Sequence, residues 1–191
     1  MTDTILTFCE GGCTCGAVRY RVTSAPMIVH ACHCGNCQTQ TGTTNAVNAL
    51  IEADRVIVQS GEIDTLVLET PSGKGQRVAR CSICKVALWS NYLINQQGDH
   101  IRFLRVGTLD DPGLMPPDVH IFTASKLPWY VIDDRTLAVT RFYHQDTTWS
   151  QDSLRRLDAL CIKSGVPYPK SRTVPADLVS PSPEISEGPV Q

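Results

Sequence analysis

Seven of the chain's nine cysteines fall into three tight clusters, and that grouping limits what the chain can fold into more than any other feature. The clusters are Cys13-Thr14-Cys15, Cys32-His33-Cys34-Gly35-Asn36-Cys37 and Cys81-Ser82-Ile83-Cys84, with Cys9 and Cys161 left over. Disulfides need pairs, and this total is odd. The N-terminus, "MTDTILTFCEGG", lacks a basic region followed by a long apolar run, so the expectation is a cytoplasmic chain without a signal peptide. In that reducing compartment, spaced cysteines indicate metal or redox chemistry more often than structural bridges.

Alternate side chains of an extended segment share a face, so Cys13 and Cys15 can point at one metal, and Cys32 and Cys34 at the same or another. A Cys-x-x-Cys turn achieves the same by folding back. Seven ligands divide as four plus three. Two pairs far apart in sequence suit a closed structural zinc that ties the start of the domain to its middle, which assigns Cys13, Cys15, Cys81 and Cys84. The compact trio Cys32, Cys34 and Cys37 then forms an open site, with a fourth position for water or substrate. Two alternatives stay open. One is a dithiol redox pair, for which the thioredoxin-like βαβ context is missing. The other is two closed four-cysteine sites, Cys9 supplying the eighth thiolate, in a zinc-stabilised binding module without turnover.

With 191 residues, one domain plus a tail is expected. Seventeen basic side chains against 19 acidic ones leave no basic excess for nucleic acid, and no apolar stretch is long enough to span a bilayer. The segments "AVRYRV" (17–22), "RVIVQS" (55–60), "TLVLET" (65–70), "IRFLRV" (101–106), "VHIFTA" (119–124) and "TLAVTRF" (136–142) are short and rich in β-branched and aromatic residues. Turn residues separate them, so the expected fold is mainly β: a zinc-stabilised antiparallel sheet domain with a C-terminal helix and a flexible tail. The helix is predicted over 150–163. Leu154, Leu157, Leu160 and Cys161 share its apolar stripe, Ser150 caps it, Trp149 and Leu154 sit at the ends of a hydrophobic staple, and Gly165 stops it. Cys161 is therefore read as core. Six of the twelve prolines lie beyond residue 165, which reads as the tail.

Five stretches, "GGCTCGAVRY", "CHCGNCQTQTG", "CSIC", "VGTLDDP" and "HIFTASKLPW", together resemble the glutathione-dependent formaldehyde-activating enzyme family, over about residues 8–133. With the helix and tail read above, the expected organisation is a catalytic domain over 8–143, a helical extension over 144–164 and a tail over 165–191. The resemblance implies two zinc ions per chain: a structural one on Cys13, Cys15, Cys81 and Cys84, and a catalytic one on Cys32, Cys34 and Cys37. Members are described as carbon-sulfur lyases that interconvert S-hydroxymethylglutathione with glutathione and formaldehyde. The partners expected on that basis are a small thiol such as glutathione and an aldehyde; a homo-oligomer is compatible with the sequence. Two departures stand out. Lys85 occupies the position after Cys-x-x-Cys where the family has glycine, and family members often end soon after the stretch matching "LPWYVIDD".

Three thiolates feed electron density to a bound zinc and blunt its power to acidify water, so the substrate expected in the fourth position is a soft thiolate. Candidates for the proton donor to the aldehyde oxygen are His33, His120 and Asp110. His33 lies between two ligands and should face away from the metal. Asn36 and Gln38 can offer hydrogen bonds to sulfur. Glutathione's carboxylates call for cations, available in Lys74, Arg77, Arg80 and Lys126, and Trp129 is a candidate pocket wall or a core aromatic.

Overall fold

A computed structural model of the chain describes residues 9–93 and 98–166. Eleven strands and three helices follow one another as β1 (Cys9–Gly12), β2 (Arg19–Val22), β3 (Ile28–Cys32), α1 (Gly35–Thr41), β4 (Ala46–Glu52), β5 (Val56–Ser60), β6 (Ile63–Leu68), β7 (Gln76–Cys81), β8 (Ala87–Tyr92), β9 (Ile101–Arg105), β10 (Val119–Ile121), β11 (Leu137–Ala138), α2 (Gln145–Thr148) and α3 (Gln151–Ser164). A three-stranded sheet runs β1-β2-β5, and an eight-stranded sheet runs β11-β10-β3-β4-β9-β8-β7-β6. The fold is mainly β, as expected. Its pairings are antiparallel except that β10 lies parallel to both β3 and β11.

Side-chain alternation gives the large sheet two different faces. On one, Val29, Ala49, Ile51, Ala79, Trp89 and Leu104 meet Val18, Tyr20, Val22 and Val56 from the small sheet and its flank. Tyr20 is fully buried there, edge-on to Trp89, with its hydroxyl 2.7 Å from Thr108 Oγ1. The opposite face carries Ile28, Leu50 and Ile101, covered by Tyr143, Trp149 and the α3 residues Leu154, Leu157, Leu160 and Cys161.

Helix α3 forms where its sequence signals place it. Ser150 Oγ accepts from the Ser153 amide, Asp152 stands in the first turn, and Gly165 closes the end in the left-handed conformation. Trp149 and Leu154 lie in the same core as the rest of the stripe. Two polar anchors seat the helix on the sheet: Ser153 Oγ donates to the Met27 carbonyl at 2.7 Å, and Arg156 grips Glu52 through Nε at 2.9 Å and Nη2 at 2.6 Å. The predicted tail from 167 onward lies outside the described residues.

Three expectations change in the structure. The segment 119–124 stops being a strand at Phe122, whose φ of 55° turns the chain, and the amides of Phe122 and Thr123 bond to the Arg141 and Val139 carbonyls. Consequently 136–142 contributes only the two-residue β11. Helix α1 goes unannounced by the sequence: "GNCQTQT" has no apolar stripe and no buried residue, and is held by a Cys34 cap and a left-handed Gly42.

Candidate metal centres

The first cysteine group is assembled by two turns. Cys13 and Cys15 follow β1 in a turn closed by the Gly16 amide on the Cys13 carbonyl at 2.9 Å, with Gly16 at φ 74°. Cys81 ends β7, and the turn into β8 carries Cys84. Its bonds run from the Lys85 amide to the Cys81 carbonyl at 3.1 Å and from the Cys81 amide to the Val86 carbonyl at 3.0 Å. Lys85 adopts φ 60° there, the left-handed conformation that a glycine would enter without strain. The four sulfurs lie within 4.8 Å of one another. Cys15 Sγ is 3.4 Å from Cys13 Sγ and 3.8 Å from Cys81 Sγ. Bonds of about 2.3 Å in a tetrahedral zinc-thiolate site imply sulfur separations of about 3.8 Å, so this donor set fits such an ion. Backbone amides aim at the sulfurs: Val18 N at Cys13 Sγ (3.2 Å) and Ile83 N at Cys81 Sγ (3.4 Å). Amide contacts of this kind, around Val86 and Cys15, hold the Cys84 thiol down to about 6.

The second group sits on the other face, where β3 runs into α1. Cys32 is the last residue of β3, Cys34 is the N-cap of α1, and Cys37 lies in its first turn and donates its amide to Cys34 Sγ at 3.4 Å. The three sulfurs also lie within 4.8 Å of one another, and no fourth cysteine, histidine or carboxylate joins them among the described residues. Hydrogen bonds from the Cys32 and Cys37 thiols, and then from backbone amides, pull Cys34 down to about 3, whereas the same contacts push Cys32 upward. The nest therefore holds one thiolate readily. Bringing all three to the thiolate state requires a cation among them, which is the donor chemistry of a metal site. Cys9, the candidate eighth ligand, belongs to neither group. It is buried in the core between the sheets, and that burial raises its thiol.

Around the trio the face is polar. Asn48 on β4 is opposite Arg105 on β9, and Arg105 Nη1 donates to Asn48 Oδ1 at 2.7 Å. Gln40, one turn along α1 from Cys37, accepts from Arg105 Nη2 at 3.4 Å and donates to Gln76 Oε1 at 3.2 Å; Gln76 in turn donates to Ser90 Oγ at 2.6 Å. Burial raises the half-buried Tyr92 phenol, and the charges of Cys37, Cys34 and Cys32 raise it further. Arg105 and Tyr92 were not among the sequence candidates. The available signal was the alternation of "IRFLR", which sets Arg105 on the same face as Ile101 and Phe103.

The candidate residues are distributed differently from their sequence neighbourhoods. His33 is fully buried and turned to His120, Nε2 to Nδ1 at 2.9 Å, with Tyr130 edge-on; burial and then His120 hold it down to about 4. Gln38 clamps backbone rather than sulfur, donating to the carbonyls of His33 at 2.7 Å and Ser125 at 2.9 Å. Asp110 pairs with Arg19 at 2.8 Å, beside the small sheet and away from the trio. Arg77 pairs with Asp99, Lys74 is exposed in a turn, Lys126 Nζ donates to the Tyr130 carbonyl at 2.6 Å, and Trp129 is 68% exposed. Only Arg80, among the cations singled out from the sequence, shares the trio's face.

No helix of the described residues is long and apolar enough to cross a membrane. A family model described as glutathione-dependent formaldehyde-activating enzyme matches residues 8–125, a span that contains all seven clustered cysteines. A Halomonas elongata protein named "Putative glutathione-dependent formaldehyde-activating enzyme" is 30% identical over 132 residues, covering 66% of this chain and 82% of its own. A crystal structure of a Rhodobacter sphaeroides protein superposes with a TM-score of 0.38 at 16% identity, covering 53% of this chain and 87% of that one. By the extent of the family match and the relative's identity, the chain belongs to the glutathione-dependent formaldehyde-activating enzyme family.

Proposed function

We propose that the protein is a carbon-sulfur lyase that interconverts a thiol and an aldehyde with their S-hydroxyalkyl adduct, at a zinc held by Cys32, Cys34 and Cys37. A second zinc, on Cys13, Cys15, Cys81 and Cys84, is structural, and the catalytic domain spans 8–143 with 144–164 as a helical extension. Glutathione and formaldehyde are the first pair to test, supported by the family's description and by the name of the Halomonas relative. A cytoplasmic location fits seven clustered thiols reserved for metal. The observation that carries this reading is the three-sulfur group without a fourth ligand among the described residues.

When bound, the ion supplies the positive charge that lets a substrate thiol ionise near neutral pH. The chain does the rest. The strand end and helix start hold the three ligands in one orientation, so the incoming sulfur has one open direction of approach. Its lone pair forms the bond to the carbonyl carbon, the carbonyl oxygen takes a proton, and the reverse reaction breaks that same carbon-sulfur bond. Tyr92, kept protonated first by burial and then by the charges of the trio's sulfurs, is a hydroxyl of this face available to the developing oxyanion. Thiols add to formaldehyde unaided, so the protein's contribution is ionisation and orientation.

The test is calorimetric titration of glutathione into protein carrying two zinc ions, beside Cys34→Ser. Faster exchange between formaldehyde and its adduct is then followed by magnetisation transfer in NMR. Saturable binding and accelerated exchange, both lost in the variant, are expected. Absence of binding at millimolar glutathione with both sites loaded overturns the assignment.

A further inference from the structure

Four strands of the trio's face contribute a row of buried polar side chains, Gln76, Ser90, Arg105 and Asn48, each no more than 8% exposed. A buried guanidinium is costly unless an anion faces it. Arg105 is 8% exposed; among the described residues its two Nη atoms reach the neutral amides of Asn48 and Gln40, and its Nε is buried with no acceptor. Arg80, on the same face of β7 as Gln76, buries a second Nε without an acceptor. Among the described residues neither arginine has a carboxylate within ion-pair distance, whereas the buried carboxylate of this face, Glu52, is taken by Arg156 and Arg55. The sulfurs of Cys32, Cys34 and Cys37 stand on this same face, and Gln40, in the helix that carries Cys37, accepts from Arg105 Nη2.

Charge counting gives this placement a purpose. Three thiolates around a divalent cation sum to one negative charge, and a fourth thiolate makes two. Two guanidinium groups match that total. We propose that Arg105, with Arg80 beside it, is the positioning residue that carries the counter-charge of the open site, so that a substrate thiol is held there as its thiolate. The inference rests on the trio being the thiol site. On binding, the thiol proton leaves to solvent and the sulfur keeps the electron pair. Arg105 acts through its field, because its Nε is shielded from solvent, and the effect therefore extends to thiols that carry no carboxylate.

The experiment uses the full chain loaded with cobalt(II), titrated with 2-mercaptoethanol and with glutathione, following the sulfur-to-cobalt charge-transfer absorption. Loss of one unit charge from the face that carries the trio predicts that Arg105→Gln weakens both thiols by about tenfold or more. Arg105→Lys, which keeps the charge, retains affinity within about threefold, and Arg80→Gln shows a smaller loss in the same direction. Equal affinity of Arg105→Gln and the parent for both thiols overturns the proposal, as does a loss confined to glutathione, which would mark a carboxylate contact instead. Should Arg105→Gln fail to fold, unchanged affinity of Arg80→Gln for both thiols overturns it as well. A parent protein with both metals and no thiol-dependent absorption overturns the thiol-site reading itself.

Discussion

The two cysteine groups present the same donor atom from contrasting architectures. Cys13 and Cys15 come from a turn beside the small sheet, and Cys81 and Cys84 from a turn of the large one, so an ion on this group joins segments whose nearest ligands, Cys15 and Cys81, are 66 residues apart. Cys32, Cys34 and Cys37 come from one strand-to-helix junction, which local backbone already holds together. Closing a long loop with a metal stabilises the fold, while gathering three neighbours changes little in chain entropy. The local site is thereby free to leave a coordination position open, and the remote one has reason to be complete.

The comparison breaks first at Cys81. If the four-sulfur group holds zinc as proposed, removing one of its ligands forfeits much of a contribution of about 10 kcal/mol or more, against a domain stability of about 5–15 kcal/mol. Cys81→Ser should therefore lose its cooperative thermal transition and one equivalent of metal; a melting curve like the parent's would remove the asymmetry between the groups. A smaller effect concerns the helix that covers the trio's face. Arg156→Ala leaves Glu52 buried without its two-point partner, and denaturant unfolding should read a loss of about 3 kcal/mol. Cys34→Ser should cost less still in stability, about 1–2 kcal/mol, while metal analysis falls from two ions to one and thiol binding disappears. An unfolded Cys34→Ser would show that the open group is structural too. The smallest change sharpens the picture at the closed site. Lys85→Gly relieves a left-handed residue and should stabilise by about 0.5–1 kcal/mol, read as a higher melting temperature with unchanged metal content.

Some elements were legible because their signals are local. The stripe, cap and stop of α3 lie within sixteen consecutive residues, 150–165, and the helix forms there. Strand β9 matched its β-branched and aromatic texture. Strands β7 and β8 did not announce themselves, since "QRVARC" and "ALWSNY" carry polar residues toward a buried face. Those same polar residues, Gln76 and Ser90, are half of the row beside the trio. The strand texture is weak there because polar residues stand at core positions, as the proposed site on this face would require.

Cysteine spacing by itself determined which thiols can act together within each cluster, since Cys-x-Cys and Cys-x-x-Cys geometry depends only on a few neighbouring dihedrals. The helix stripe marked Cys161 as a core residue, whereas Cys9 stayed open as an eighth ligand until the structure placed it in the core between the sheets. The four-plus-three division also paired the first cluster with the third, and the structure brings those four sulfurs together. Tertiary structure alone decided that the Cys32–Cys37 cluster lies on the opposite face of the large sheet, and that Arg105 and Tyr92 rather than Asp110 or Lys74 share that face. Those relations are set by cross-strand register and sheet stacking, which couple residues tens of positions apart and leave no trace in any short window of sequence.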